Sequence, residues 1–141
     1  MKPLSGRDKH GISGTCVICP DWGGEHLCIF LTDFVNDKRR EPKTIIVNVT
    51  SWTSRKEQTL ILYPGEHPFI IKKSVVAYDN ALLLAEWQVE HLLSNGKKQP
   101  SASEELLRKI GEGLLRSPFT STDVRDFYEQ YSQNIGKPEN R

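Results

Sequence analysis

Long apolar runs are missing from this sequence, as are clustered acidic residues and any large excess of charge, and each absence removes a class of function. No stretch approaches the ~20 consecutive apolar residues that cross a bilayer, and the opening MKPLSGRDKHG has no apolar core of an export signal, so neither a membrane role nor export is expected. Nineteen Lys and Arg against eighteen Asp and Glu leave a formal net charge of +1. That excludes a protein that coats nucleic acid or anionic lipid through bulk charge, and any basic surface must be local. Cysteine is sparse. Cys16, Cys19 and Cys28 are an odd count crowded into one segment, which argues against a disulfide framework and for a reducing, cytoplasmic compartment. No group of Asp and Glu is suited to magnesium, and no cofactor is expected.

What remains is 141 residues, enough for one domain with its own core. The first half alternates short β-branched and aromatic runs with turn residues, which predicts antiparallel strands at 12–19, 26–34, 44–51 and 59–63. Within the second run Leu27, Ile29 and Leu31 oppose His26, Cys28, Phe30 and Thr32. Within the third, Ile45, Val47 and Val49 oppose Ile46, Asn48 and Thr50. Both faces are largely apolar, so the strands are covered on two sides, in a small closed barrel or in a sheet under helices. Residues 74–85 have strand character before Asp79. The period then changes: Leu106, Leu107, Ile110, Leu114 and Leu115 share a helical face, with Ser101 and Glu104 at capping-box spacing. Ser117-Pro118 ends that helix, and Val124, Phe127, Tyr128 and Tyr131 mark another from about Thr122, capped by Thr120 with Asp123. Residues 95–100 read as a polar linker, 1–11 as a flexible N-terminus and 134–141 as a tail.

The pair Cys16-Val17-Ile18-Cys19, with His26 and Cys28 nearby, invites a zinc reading. A run of β-branched residues between the cysteines points them apart along a strand, however, and favours buried structural thiols. The chemistry-bearing residues lie elsewhere. In an antiparallel pair formed by the second and third strands, the start of one lies beside the end of the other, so His26 is a neighbour of Thr50 or Ser51. His67 sits on a stiff loop between prolines, in Pro64-Gly65-Glu66-His67-Pro68, and Lys72-Lys73-Ser74 follows. A histidine, hydroxyls and a lysine are what RNA cleavage without a metal requires: a base for the 2′-hydroxyl, donors for the phosphate and a cation for the transition state. Trp22 and Trp52, in loops at the same end and near Arg39, Arg40, Arg55 and Lys56, are placed either to stack single-stranded bases or to plug the end of the sheet.

The strings GEHLCIFLTDF (24–34), TIIVNVTS (44–51), SVVAYDNALLLA (74–85) and SEELLRKIGEGLL (103–115) resemble the MazF/PemK (Kid-like) toxins of bacterial toxin-antitoxin modules. The resemblance implies a mainly β chain with C-terminal helices (α+β), an SH3-like small antiparallel barrel over residues 12–94 and a helical element over 101–133 packed on it. It also implies a homodimer that cleaves single-stranded RNA and is bound by an antitoxin protein. The family's Thr or Ser at the end of the third strand maps onto Thr50 or Ser51. Its arginine at the start of the second strand is replaced by His26, which can move a proton but cannot hold a phosphate bidentately. His67 and Lys73 are expected to supply what that arginine does, with Ser74, Tyr78, Trp22 and Trp52 as further substrate-binding residues. The alternative is a catalytically inactive SH3-like module that binds nucleic acid or a protein.

Overall fold

In the computed structural model, which describes residues 11–19 and 25–135, the long strand β4 (Pro42–Ser51) centres an antiparallel sheet. Its segment 44–49 is buried on both faces because β-branched residues point both ways. On one side β4 pairs with β2 (His26–Phe30) and the short β3 (Val35–Asn36). On the other side it pairs with β7 (Leu82–Ala85) along its first half and β6 (Ser74–Val76) along its second. Beyond β2 lie β1 (Cys16–Cys19) and β8 (Lys97–Gln99), and beyond β6 lies β5 (Ile61–Leu62). The outermost strands, β5 and β8, do not pair with each other, so the hydrogen-bonded sheet does not close.

Among the described residues three α-helices complete this α+β chain: α1 (Glu86–Asn95), α2 (Glu104–Arg116) and α3 (Thr122–Ile135). They cover the two faces unequally. Ile45, Val47 and Val49 of β4 point into a large core with Leu106, Ile110 and Leu114 of α2 and Val124 and Phe127 of α3. Each fully buried side chain of this kind contributes about 1.5–3 kcal/mol by leaving water. Ile46, with Val17, Cys28 and Phe30, points into a smaller core closed by Val89 of α1. None of the helices among the described residues is long and apolar enough to cross a membrane.

The structure corrects several local expectations. Residues 97–99 are a strand, not a linker: Lys97, Lys98 and Gln99 pair with Ile18, Val17 and Cys16. Helix α1 was not anticipated, because the apolar strand Leu82–Ala85 runs into it with no Ser, Thr or Asp at its start. Gln88 supplies the missing cap by accepting a hydrogen bond from the Ala85 N–H at 2.8 Å. Ser103 rather than Ser101 caps α2, accepting from the Leu106 N–H at 3.0 Å. The Thr120 hydroxyl donates back to the Leu114 carbonyl instead of capping α3. Asn134 and Ile135, expected in the tail, belong to α3.

Gly113, a costly residue inside a helix, has a reason to be there. A Cβ at that position would collide with the Tyr78 hydroxyl end, which packs against α2 and donates to the Ile110 carbonyl at 2.8 Å.

Candidate functional site

The register of β2 against β4 ends with Leu27 opposite Val49, and one step further brings His26 beside Thr50. Alternation puts His26, Cys28, Asn48 and Thr50 on the same face as Ile46, the face that α1 covers further along. Past that cover the sheet faces a groove of about 510 Å³ lined by His26, Asn48, Thr50, Arg55, Lys56 and Phe119. A second groove of about 470 Å³ is lined by Ser51, Phe69, Ile71 and Ser74, and again by His26 and Thr50. These two residues therefore form the divide between the grooves.

The loop after β4 folds back on this divide. Lys56 Nζ donates to the Thr50 Oγ1 at 2.8 Å and to the Ser51 carbonyl at 2.9 Å, which fixes a positive charge on the threonine hydroxyl. Arg55, beside it, is exposed. Glu57 and Asp79 also line the groove. Glu57 is taken up by its own donors: Oε1 accepts from the Tyr78 N–H at 3.1 Å, and Oε2 from the Thr59 and Ser117 hydroxyls at 2.6 and 2.7 Å. Arg55 and Lys56 are thus presented to the groove while one of its two carboxylates serves to hold the walls together.

Asn48 adds a further polar group to the floor. It is 3% exposed, and its Oδ1 is buried with no hydrogen-bond partner. An unpaired buried carbonyl costs about 1–3 kcal/mol, and native structures keep few of them.

The other sequence-predicted residues separate from this place. His67 is 2% exposed, with both ring nitrogens engaged: Nε2 lies 2.6 Å from the Pro100 carbonyl, and Nδ1 accepts from the Phe69 N–H at 3.0 Å. The carbonyl accepts only from an N–H, so the proton is on Nε2 and neither nitrogen is left for a substrate. His67 lines neither groove. Tyr78 is fully buried against α2, and its hydroxyl is pushed above the usual tyrosine range by desolvation. Its expected role in substrate binding is replaced by one in the core. Lys73 stacks its ammonium on the Trp52 ring, 4.1 Å from the centroid, while the Trp52 indole N–H is buried without a partner. Ser74 is buried on the second groove and donates to the Lys72 carbonyl at 2.8 Å. Trp22 lies outside the described residues.

The cysteines are all buried. Desolvation pushes the Cys16 thiol up to about 12. Cys28 is raised further, by the hydrogen bond with Cys19 first and by burial second. Thiols held protonated in this way are poor metal ligands and poor nucleophiles. Among the described residues no three His, Cys, Asp or Glu side chains converge as a metal site. A third cleft, of about 360 Å³, lies between the turn joining β3 to β4 and α3. Its charges answer one another, with Lys43 2.9 Å from Asp37 and Lys38 4.0 Å from Asp126.

Asn48, Lys56, Glu57 and Phe119 were missed as site residues. Asn48 had a signal, being the one amide in the apolar run TIIVNV, two positions before Thr50 and so on its face. Lys56 had only its place in a basic stretch, and Phe119 had none.

The chain matches no protein-family profile, and no curated protein sequence matches it.

Proposed function

We propose that the protein is an endoribonuclease that cleaves single-stranded RNA without a metal ion, a divergent relative of the MazF/PemK toxins acting in the bacterial cytoplasm. What carries the proposal is one observation: His26 and Thr50 stand side by side at the divide between two grooves, with Lys56 held on the Thr50 hydroxyl.

The chemistry follows from the residue types. His26 takes the proton of a ribose 2′-hydroxyl, and the freed 2′-oxygen attacks the adjacent phosphorus. Lys56 and the Thr50 hydroxyl, with Arg55 from the same loop, offset the charge that grows on the non-bridging oxygens. The bond from phosphorus to the 5′-oxygen breaks, and that oxygen takes its proton from the Lys56 ammonium or from solvent. A 2′,3′-cyclic phosphate is left on one product and a 5′-hydroxyl on the other. In this scheme Arg55 and Lys56 take the place of the family arginine, in the role first expected of His67 and Lys73.

The same relationship extends the proposal to an SH3-like barrel architecture, to a homodimer and to an antitoxin protein as partner. Light scattering after size-exclusion chromatography tests the dimer, and a strict monomer would remove it. The decisive experiment incubates the purified chain with mixed single-stranded RNA in EDTA beside a His26→Ala variant. Cleavage by the native protein alone, with cyclic phosphate ends, is the expected result. No cleavage, or equal cleavage by both, overturns the assignment. The second reading, a binding module on the same grooves, is favoured by the histidine standing where the family has arginine. It predicts RNA binding with no turnover.

A further inference from the structure

Phe119 is 58% exposed, yet the loop that carries it is tied down by side-chain hydrogen bonds on both sides of the ring. The loop joins α2 to α3. Its Ser117 is fully buried, and the Ser117 hydroxyl accepts from the Phe119 N–H at 3.1 Å while donating to Glu57 at 2.7 Å. Thr120 Oγ1 donates to the Leu114 carbonyl at 2.7 Å. The Arg125 guanidinium donates to the carbonyls of Leu115 and Ser117, at 2.8 and 3.1 Å. Pro118 restricts the remaining backbone freedom. None of these bonds covers the phenyl ring; together they hold it out at the wall of the groove that contains His26, Thr50, Arg55 and Lys56.

Glu57 makes the link specific. It anchors the Phe119 loop through Ser117, and it directly follows Arg55 and Lys56 in the chain, so the ring and the cations are set by one carboxylate. An aromatic face on a rigid support, lining one groove with a lysine fixed on Thr50 and an exposed arginine, matches one nucleotide of a single strand: the base against the ring, its phosphate on the lysine and arginine. The loop orders nothing on binding, which spares the entropy cost of fixing a mobile platform.

Resting on the ribonuclease reading, we propose that Phe119 is a stacking platform for the base next to the phosphate held at Thr50 and Lys56, so that the helical extension of the chain contributes directly to RNA binding. Every base has an aromatic face, so the platform favours single strands over duplex without selecting a sequence.

The test uses the full chain and a fluorescein-labelled, uncleavable 2′-O-methyl RNA decamer of mixed sequence, read by anisotropy, beside steady-state cleavage of the corresponding RNA. Phe119→Ala should weaken decamer binding by about five- to 150-fold, the effect expected for loss of one base stack. Phe119→Trp should restore it, and Phe119→Leu, which keeps apolar bulk but has no aromatic face, should not. In cleavage the alanine variant should raise KM with kcat little changed, as loss of uniform binding requires. Because the ring is exposed, all three variants should melt with the native protein. Native-like binding by Phe119→Ala, or equal binding by the leucine and tryptophan variants, overturns the platform. If the native protein binds the decamer but never cleaves RNA, the nuclease reading fails while the variant series still decides the platform. If it binds no RNA at all, both fall.

Discussion

Replacing His67 by alanine should cost the protein stability rather than chemistry. The imidazole ties the turn after β5 to the segment between β8 and α2, through the contact of Nε2 with the Pro100 carbonyl and the donation from the Phe69 N–H to Nδ1. Alanine removes both bonds and leaves space where a buried ring stood. A hydrogen bond contributes about 0.5–1.5 kcal/mol net, and a donor left unpaired in the interior costs about 1–3 kcal/mol. The Phe69 N–H is the group stranded, while the Pro100 carbonyl, on an exposed residue, can recover water. The sum is about 3 kcal/mol, and at about 3 °C per kcal/mol for a domain of this size the melting temperature should fall by about 10 °C. The ion pair between Lys109 and Glu66 ties the same turn to α2, so the loss should be local and the chain should still fold. Circular dichroism melts of native and variant protein measure the shift, and cleavage of single-stranded RNA well below the lower melting point measures the activity. A variant that melts within about 2 °C of the native protein but has lost cleavage would refute the reasoning and return His67 to the catalytic set.

Three further outcomes follow from the same structure. Lys56→Met should reduce kcat on single-stranded RNA by about 10²-fold, the typical effect of removing one preorganised charge at a transition state, while leaving the melting temperature unchanged because Lys56 is exposed. Gly113→Ala should destabilise the chain by about 1–2 kcal/mol, because overpacking against Tyr78 outweighs the gain in helix propensity. Urea titration should show that Gly113→Ala combined with Tyr78→Phe loses less than the sum of the two, and additive losses would place the clash elsewhere. The Asp37 carboxylate accepts from the Glu41 N–H, the Lys43 ammonium and the Arg39 N–H, which lower it from 3.8 to about 2. A carboxylate lowered by folding adds stability that is complete above its unfolded value and lost as pH falls through its folded value. The difference in melting temperature between native protein and Asp37→Asn should therefore be constant above about pH 5, shrink as pH falls from there toward about pH 2 and disappear only below it; a difference that stays unchanged from about pH 5 down to about pH 2 would refute the assignment.

The elements legible in the sequence were those whose pattern is local. Alternation in residues 26–34 and 44–51 located both strands, though β2 ends at Phe30, and predicted that two faces would be covered, and the spacing from Leu106 to Leu115 placed α2. Antiparallel pairing of those strands made His26 a neighbour of Thr50 or Ser51 from the sequence alone. Missed elements lack such a pattern. β8 is three polar residues that form a strand only because the edge of β1 needs partners for its backbone groups, a requirement that composition does not encode. α1 begins without a cap signal and borrows one from Gln88. For single residues the limit is different. A histidine between prolines looks the same in sequence whether its nitrogens face a substrate or the Pro100 carbonyl, and only the fold distinguishes the two for His67.

The position of the grooves follows from how β4 is covered. The core formed with α2 and α3 lines one face of the strand to Val49, whereas α1 closes the other face only over its first half, around Ile46. Among the described residues no helix core reaches that second face from Asn48 onward, and there the residues on it change from isoleucine to asparagine and threonine. An uncovered apolar strand end would be an aggregation hazard, and a covered polar one would leave buried groups unpaired. Polar residues at the uncovered end avoid both, except at Asn48, whose Oδ1 is buried and still unpaired. The loop carrying Arg55 and Lys56 partly fills this gap, and its Glu57 fastens it to the turn between α2 and α3. A protein with a net charge of +1 thus gathers two cations at a strand end that its described helices leave open. Breaking the Glu57–Ser117 bond should loosen that arrangement without touching the strands that carry His26 and Thr50.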